Sequence, residues 1–229
     1  QEETILLLYP PSKDDKTREI LFIRKSDNHT KVWEGEKLSK KQANELSGIN
    51  NICFIEDFKD VLSSIATKVD TFYINKNEHY RANSPVETRE DRFISWLLKK
   101  YPAHNIAKSN PILQRQRSLK HPSEIDQIKR ACEITGKGFN RVLKFIKPNI
   151  WEYEIEAEFI HEFINNSSKG FAYSPIIASG NDNNVLHYIK NNKKCKSGEL
   201  ILMDVGAEYG NYSSDMTRTV PVSGKFSKI

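Results

Sequence analysis

The chain has 229 residues, 38% of them hydrophobic and 28% charged, with a formal net charge of +5 from 35 basic and 30 acidic side chains. That length suggests one or two domains at roughly 150 residues each, with enough apolar material for a core. The basic excess is small and scattered. Its densest stretches are Arg115 to Lys120 and Lys190 to Lys196. Nucleic-acid binders concentrate their charge on one face or arm, so no nucleic-acid partner is expected. No apolar run reaches the ~18 residues of a membrane span. Cys53, Cys132 and Cys195 are far apart, with neither C-x-x-C nor C/H spacing. They read as three reduced, partly buried thiols, which points to a cytoplasmic setting. The opening Gln-Glu-Glu is acidic and without Met, so no signal peptide is expected and an internal start is.

Thr4 to Tyr9 and Glu19 to Arg24 read as two strands around a loop that begins at Pro10-Pro11. Lys40 to Leu46 reads as a short helix behind a Ser39 N-cap. Asn51 to Ile55 is a further strand. Phe58, Val61, Leu62 and Ile65 recur at helical spacing over Asp57 to Thr67. Thr71 to Ile74 is β-rich, and Glu87 to Tyr101 is helical. This alternation predicts an α/β domain over residues 1–110, with the boundary in the proline-bearing stretch Tyr101 to Pro111 and a second domain over 111–229.

The second part opens on a long amphipathic helix from Pro122, with Ile125, Ile128, Ala131, Thr135, Phe139 and Val142 stepping by three and four. Glu124 and Asp126 in its first turn suit the helix dipole, and Lys147-Pro148 ends it. Glu152 to Asn165 forms a second helix, with Ile155, Phe159 and Phe163 on one face. Strands follow over Ser174 to Ala178, Glu199 to Gly206 and Asn211 to Val220.

The chemistry concentrates in Leu200 to Thr219. An apolar strand ends in Asp204, a Gly-containing turn follows, and a second strand carries Asp215. A two-residue turn at Tyr209-Gly210 sets the two aspartates directly opposite each other, with Cβ atoms ~4.5–5.5 Å apart. A turn at Gly210-Asn211, or a bulge, makes them near neighbours instead. Like charges so placed repel, and a divalent cation between them removes the conflict. Two carboxylates can also bridge two metals ~3.5–4 Å apart, as in two-metal hydrolases. An ordinary hairpin pair of aspartates more often caps turns or faces solvent, so spacing alone decides little.

Two runs sharpen the reading. PIIASGNDNNVLHY (Pro175 to Tyr188) and KSGELILMDVGAEYGNYSSDMTRTVPVSGKFS (Lys196 to Ser227) resemble the catalytic core of Xaa-Pro aminopeptidases, the proline-specific branch of the pita-bread metallopeptidases. HPSEIDQIKRACEIT (His121 to Thr135) resembles the opening of that catalytic domain, and Val32-Trp33-Glu34-Gly35 a segment of the family's N-terminal domain. The similarity covers most of the chain and is most specific between Pro175 and Ser227.

The resemblance implies an α/β N-terminal domain and the first half of an α+β pita-bread catalytic domain. Asp204 matches the family aspartate that binds one metal, and Asp215 the one that bridges both. His187 matches a histidine that stabilises the reacting carbonyl; read without the motif, it is a strand-end histidine bonded to the backbone. The implied cofactor is a pair of divalent ions, Mn²⁺ first, with Zn²⁺ or Co²⁺ as alternatives. The implied reaction is attack by a metal-bound hydroxide on the carbonyl preceding proline, in peptides with proline in the second position. The implied protein is a cytoplasmic homodimer with no membrane partner.

The family's remaining ligands, one His and two Glu, lie downstream of the matched segment. The chain therefore reads as an interior fragment of a protein about twice as long, starting late in its N-terminal domain. On its own it is expected to be inactive and to expose apolar surface and strand edges. Three alternatives stand beside this reading. One is a prolidase acting on Xaa-Pro dipeptides. Another is a metal-independent relative such as creatinase, which Asp204 and Asp215 argue against. The third is a pita-bread protein that binds without catalysis. Arg218 either orients a carboxylate or is a surface cation. Gly180-Asn181-Asp182 is either a binding loop or an ordinary turn. His161 reads as surface, His29 as part of a charged loop, and His79, His104 and His121 lack ligand-like spacing.

Overall fold

The computed structural model describes residues 3–76 and 84–227. His79 lies outside the described residues. The chain divides into two units, Gln1–Arg115 and Gln116–Ile229.

In the first unit, β1 (Ile5–Leu8) pairs antiparallel with β2 (Glu19–Ile23), and β2 pairs parallel with β3 (Asn51–Phe54). The β1–β2 connection holds a single helical turn, α1 (Asp15–Arg18), behind an Asp14 cap. A parallel pairing needs a long crossover. Here it is made by α2 (Asn28–Glu34) and α3 (Lys40–Ser47). Ser39 and Gln42 cap α3 reciprocally, and Gly48 ends it at φ 73°. The 28–34 stretch is thus helical, so His29 sits on a helix rather than in a loop. Its Val32 and Trp33 are exposed.

A second parallel pair joins β4 (Thr71–Ile74) to β5 (Asn105–Lys108) through α5 (Arg89–Lys100). α4 (Phe58–Ala66) turns Phe58, Leu62 and Ile65 into a core shared with Ile20, Phe22, Phe72 and Leu97. His104 belongs to this core: it stacks on Phe72 at 5.0 Å, and its Nε2 meets the Ala66 carbonyl at 2.9 Å. The proline-bearing stretch that sequence marks as a boundary therefore contains a paired strand. α6 (Asn110–Ser118) leads from one unit to the next.

The second unit is built on α7 (Pro122–Phe145) and α8 (Glu152–Asn165). They approach closely at Gly138, where an added Cβ would lie 2.7 Å from Phe163 and 2.9 Å from Phe159. Ile134, Phe139 and Val142 from α7 and Ile155, Phe159 and Phe163 from α8 form one core with Ile177, Ile201, Met203 and Val205.

Two three-stranded sheets contribute to this unit. The first has the order β10 (Tyr212–Ser213), β9 (Ala207–Tyr209), β6 (Gly170–Phe171). The second has the order β11 (Met216–Pro221), β8 (Leu200–Val205), β7 (Ile176–Ser179). All their pairings are antiparallel. β11 and β7 lie at the edges of the second sheet. An α/β unit followed by helices on antiparallel sheet matches the fold class expected from the sequence.

Candidate metal centre

The hairpin bearing the two aspartates turns at Gly210 and Asn211, with φ of 58° and 65°. Two successive left-handed residues form a tight hairpin turn that matches strand twist, and glycine and asparagine tolerate that region best. Tyr212 therefore faces Tyr209 and Ser213 faces Glu208. The register continues into the second sheet, where Met216 faces Val205 and Thr217 faces Asp204. Of the two turns compatible with the sequence, the structure adopts the second. Asp204 and Asp215 are diagonal neighbours, not direct partners.

They still share a face. Along β8, Ile201, Met203 and Val205 are buried in the core while Leu202 and Asp204 point the other way. Met216 packs on the core side. Side chains alternate along a strand, so Asp215 beside it points with Asp204. Diagonal Cα separation is ~7–8 Å.

One side chain ties the pair together. Tyr173, between β6 and β7, places its hydroxyl 2.7 Å from Oδ1 of Asp204 and 3.1 Å from Oδ1 of Asp215. Burial first, then the hydrogen bond from Tyr173 to Asp204 and the charges of both carboxylates, push the phenol well above its ordinary pKa of 10.0. It stays protonated at neutral pH. A hydroxyl carries one proton, so it can satisfy only one of the two oxygens at a time. The site keeps an excess of negative charge and free acceptor capacity, which suits hard divalent cations. Among the described residues, no third His, Cys, Asp or Glu joins the pair to complete a ligand set.

Two contacts hold the hairpin to α7. At its tip, the Tyr212 hydroxyl donates to Glu124 Oε1 at 2.5 Å. That bond, then the His121 backbone N–H, holds the Glu124 carboxyl below its ordinary range. At the change of sheet, the hydroxyls of Thr135 and Ser214 lie 2.7 Å apart, and both accept from the Ala207 N–H, at 2.9 and 3.0 Å. Gly206 makes the crossing possible. A Cβ there would overlap the Ser214 carbonyl oxygen and lie 2.7 Å from its carbon.

His187 lies elsewhere in the same unit. It follows a 3₁₀ turn (Gly180–Asn184) in an exposed position at φ 56°. No hydrogen bond ties its ring to the other described residues, so it is not the backbone-bonded strand-end histidine that the sequence leaves open. Asn183 pins the start of its loop to β8, donating to the Leu200 carbonyl at 3.1 Å and accepting from the Leu202 N–H at 3.3 Å. Asp182 pairs with Lys193 at 3.4 Å, so Gly180-Asn181-Asp182 forms a helical turn. Arg218 is exposed and donates to the Thr217 carbonyl at 2.8 Å. His161 is exposed, and His121 caps α7. The three cysteines are free, but Cys132 is exposed and Cys195 fully buried, so only Cys53 is the partly buried thiol expected.

Metallopeptidase family M24 matches residues 126–229, and Aminopeptidase P, N-terminal domain, matches residues 1–73. The chain belongs to the M24 metallopeptidases of the aminopeptidase P type. This M24 chain is 31% identical over 223 residues to the Xaa-Pro aminopeptidase of Haemophilus influenzae, covering 97% of itself and 49% of that protein. Among solved structures it is similar to aminopeptidase PepP of Pseudomonas aeruginosa, with TM-score 0.85, 27% identity and coverage of 99% and 51% of the two chains. It is also similar to a zinc-substituted aminopeptidase P of Escherichia coli in complex with product, with TM-score 0.81, 29% identity and coverage of 92% and 48%. The M24 chain spans about half the length of the relatives it matches. Its second unit is an M24 catalytic half with the pita-bread architecture, and its first an aminopeptidase P N-terminal domain.

Sequence reasoning passed over Tyr173 and Glu152. Tyr173 reaches the aspartates from 31 and 42 residues away with no periodic signal. Glu152 had a signal: it precedes Ile155, Phe159 and Phe163 on the same helical stripe, and all three are buried.

Proposed function

We propose that this chain supplies half of the metal site of an aminopeptidase that releases an N-terminal residue preceding proline. The observation that carries the reading is the anionic pair. Asp204 and Asp215 share one face of one hairpin and one tyrosyl proton, in a chain of a metallopeptidase family. Residues 1–110 serve as the N-terminal domain and 111–229 as the first half of the catalytic domain. Asp204 and Asp215 would be the two carboxylate ligands that this chain offers to the cations. One His and two Glu from the other half of the catalytic domain complete the set.

Bound there, divalent cations would supply Lewis acidity and make bound water more acidic. Oxygen-rich ligands suit Mn²⁺ first, then Zn²⁺ or Co²⁺. The chain's own residues do the rest. Tyr173, within hydrogen-bond reach of both carboxylates, restrains one of them at a time. His187, exposed and unbonded, is free to donate an imidazole N–H to a carbonyl oxygen as it gains negative charge. The substrates are peptides with proline in the second position. The same reading extends to a homodimer in the cytoplasm; the family resemblance supports the dimer, and the free thiols support the compartment.

The test is Mn²⁺ titration of the full-length protein by calorimetry, followed by release of arginine from Arg-Pro-Pro. Two metals per chain and arginine release are expected, and Asp204→Asn or Asp215→Asn abolishes both. A silent titration with no release overturns the reading in favour of a binding protein that keeps the fold. Cleavage of Xaa-Pro dipeptides alone assigns the prolidase specificity.

A further inference from the structure

Glu152, the first residue of α8, is fully buried. Its carboxylate accepts four hydrogen bonds. Oε1 takes the Ser179 N–H at 2.8 Å and the Ser179 hydroxyl at 2.7 Å. Oε2 takes the Tyr188 hydroxyl at 2.8 Å and the Lys193 N–H at 2.9 Å. The Lys193 ammonium pairs instead with the Ser179 carbonyl and Asp182. A buried carboxylate is costly unless its oxygens are satisfied, and here four donors satisfy them.

The donors are not scattered. Ser179 ends β7 immediately before the His187 loop, Tyr188 follows His187 directly, and Lys193 closes the loop. Asn191 reinforces this end: it accepts from Ile177 N–H at 2.9 Å and donates to the Pro175 carbonyl and to Glu156, each at 2.9 Å. The segment that presents His187 is therefore tied to one carboxylate at its start, beside the histidine and at its end. The adjoining Val185, Leu186 and Ile189 are exposed and contribute little anchoring.

We propose that Glu152 is the positioning residue of His187: its carboxylate sets the conformation of the 180–193 loop and so the direction from which the imidazole meets substrate. The catalytic part of this assignment rests on the function proposed above; the conformational part does not. The chemistry requires a carboxylate specifically. Each oxygen faces one main-chain N–H, which cannot reverse its polarity as a hydroxyl can. A glutamine in either amide orientation sets its NH₂ against one of those N–H groups. Glu152→Gln, nearly the same size, therefore frees one end of the loop whichever way it turns.

The experiment uses the full-length protein carrying Glu152→Gln, with Tyr188→Phe as a milder variant that removes one donor and leaves both main-chain bonds. Hydrogen exchange is read first. Glu152→Gln is expected to raise exchange of the 180–193 amides at least tenfold while the centre of α8 stays protected. Tyr188→Phe gives a smaller rise in the same segment. Unchanged exchange in both variants overturns the proposal, whether or not the protein is a peptidase.

Kinetics and metal content then separate positioning from plain structural support. Glu152→Gln is expected to lower kcat 10- to 100-fold with KM within about threefold and two metals still bound, and to lower it less than twofold when His187→Ala is already present. Equal losses in both backgrounds, or loss of metal, overturn the positioning role. If Glu152→Gln does not fold, the same cycle is run with Tyr188→Phe, where additivity with His187→Ala likewise overturns it. Altered exchange in a protein that neither binds metal nor cleaves Arg-Pro-Pro refutes the peptidase reading and leaves the loop assignment standing.

Discussion

Gly206→Ala is the most incisive single change to the fold around the aspartates. The new methyl would overlap the Ser214 carbonyl oxygen, stand 2.7 Å from its carbon, and press the Tyr173 ring at 3.1 Å. The first two atoms are main chain and cannot rotate aside, so the strands must separate. Overpacking of this kind costs about 1–3 kcal/mol. Separation also strains the Ser214 N–H bond to the Ala207 carbonyl and the Ala207 N–H bond to the Ser214 hydroxyl, at about 1 kcal/mol each. The total is about 3–5 kcal/mol, which for a unit of this size moves Tm by roughly 10–20 °C. Calorimetry of the full-length protein reads that shift, and Mn²⁺ titration reads its consequence, a weakening of at least tenfold as Asp215 moves from Asp204. Gly136→Ala is the control. Nothing lies within 4 Å of its Cβ position, so alanine there should be neutral or stabilise α7 by up to about 1 kcal/mol. An unchanged Tm and metal affinity in Gly206→Ala would refute the view that this glycine sets the crossing.

Three further outcomes follow from the same geometry. Gly138→Ala forces a methyl into the buried rings of Phe159 and Phe163 and should lower stability by about 1–3 kcal/mol despite better helix propensity, as calorimetry would show. Tyr173→Phe removes the hydroxyl donor between the aspartates and should cost the metal-free protein about 1–2 kcal/mol, with the deficit shrinking as Mn²⁺ is added. Tyr188 is 8% exposed, and burial, then the bond to Glu152, raise its phenol from 10.0 to about 12. A raised acid dissociates later in the folded protein than in the unfolded chain. Its contribution is intact below pH 10 and declines as pH rises through 12, so Tyr188→Phe should flatten that part of the alkaline unfolding curve, by about 2–3 kcal/mol.

Much of this architecture is legible in the chain because local rules decide it. The stripe from Ala131 to Val142 faces the core as its spacing requires, and Ser39 and Pro122 mark helix starts by capping and ring geometry. The aspartates are visible as a pair because they flank a turn. Their register is not, since Tyr209-Gly210 and Gly210-Asn211 both read as turns and the choice depends on two residues adopting positive φ. The hairpin's passage between two sheets depends on Gly206 meeting Ser214, and on a Thr135 hydroxyl 79 residues from its partner. Glu152 reads as an acidic residue favoured by the helix dipole. Its burial becomes evident only when it is counted with the apolar stripe that follows it. β5 lay hidden in a short, proline-flanked segment whose partner is about 35 residues away.

The Gly210–Asn211 turn also bears on when the anionic pair comes together. Closing a loop of about ten residues takes ~10–100 ns and little chain entropy, and a hairpin forms in ~1–10 μs. Asp204 and Asp215 are eleven positions apart, so local diffusion alone brings them into reach. Thr135 reaches the hairpin, and Tyr173 the aspartates, only through much longer excursions of the chain. The carboxylates can thus meet, and attract a cation, while the helices are still searching for their places. If the pair binds metal as proposed, capture need not wait for the finished fold, and a divalent ion present during synthesis would act as a folding nucleus for the strands around it.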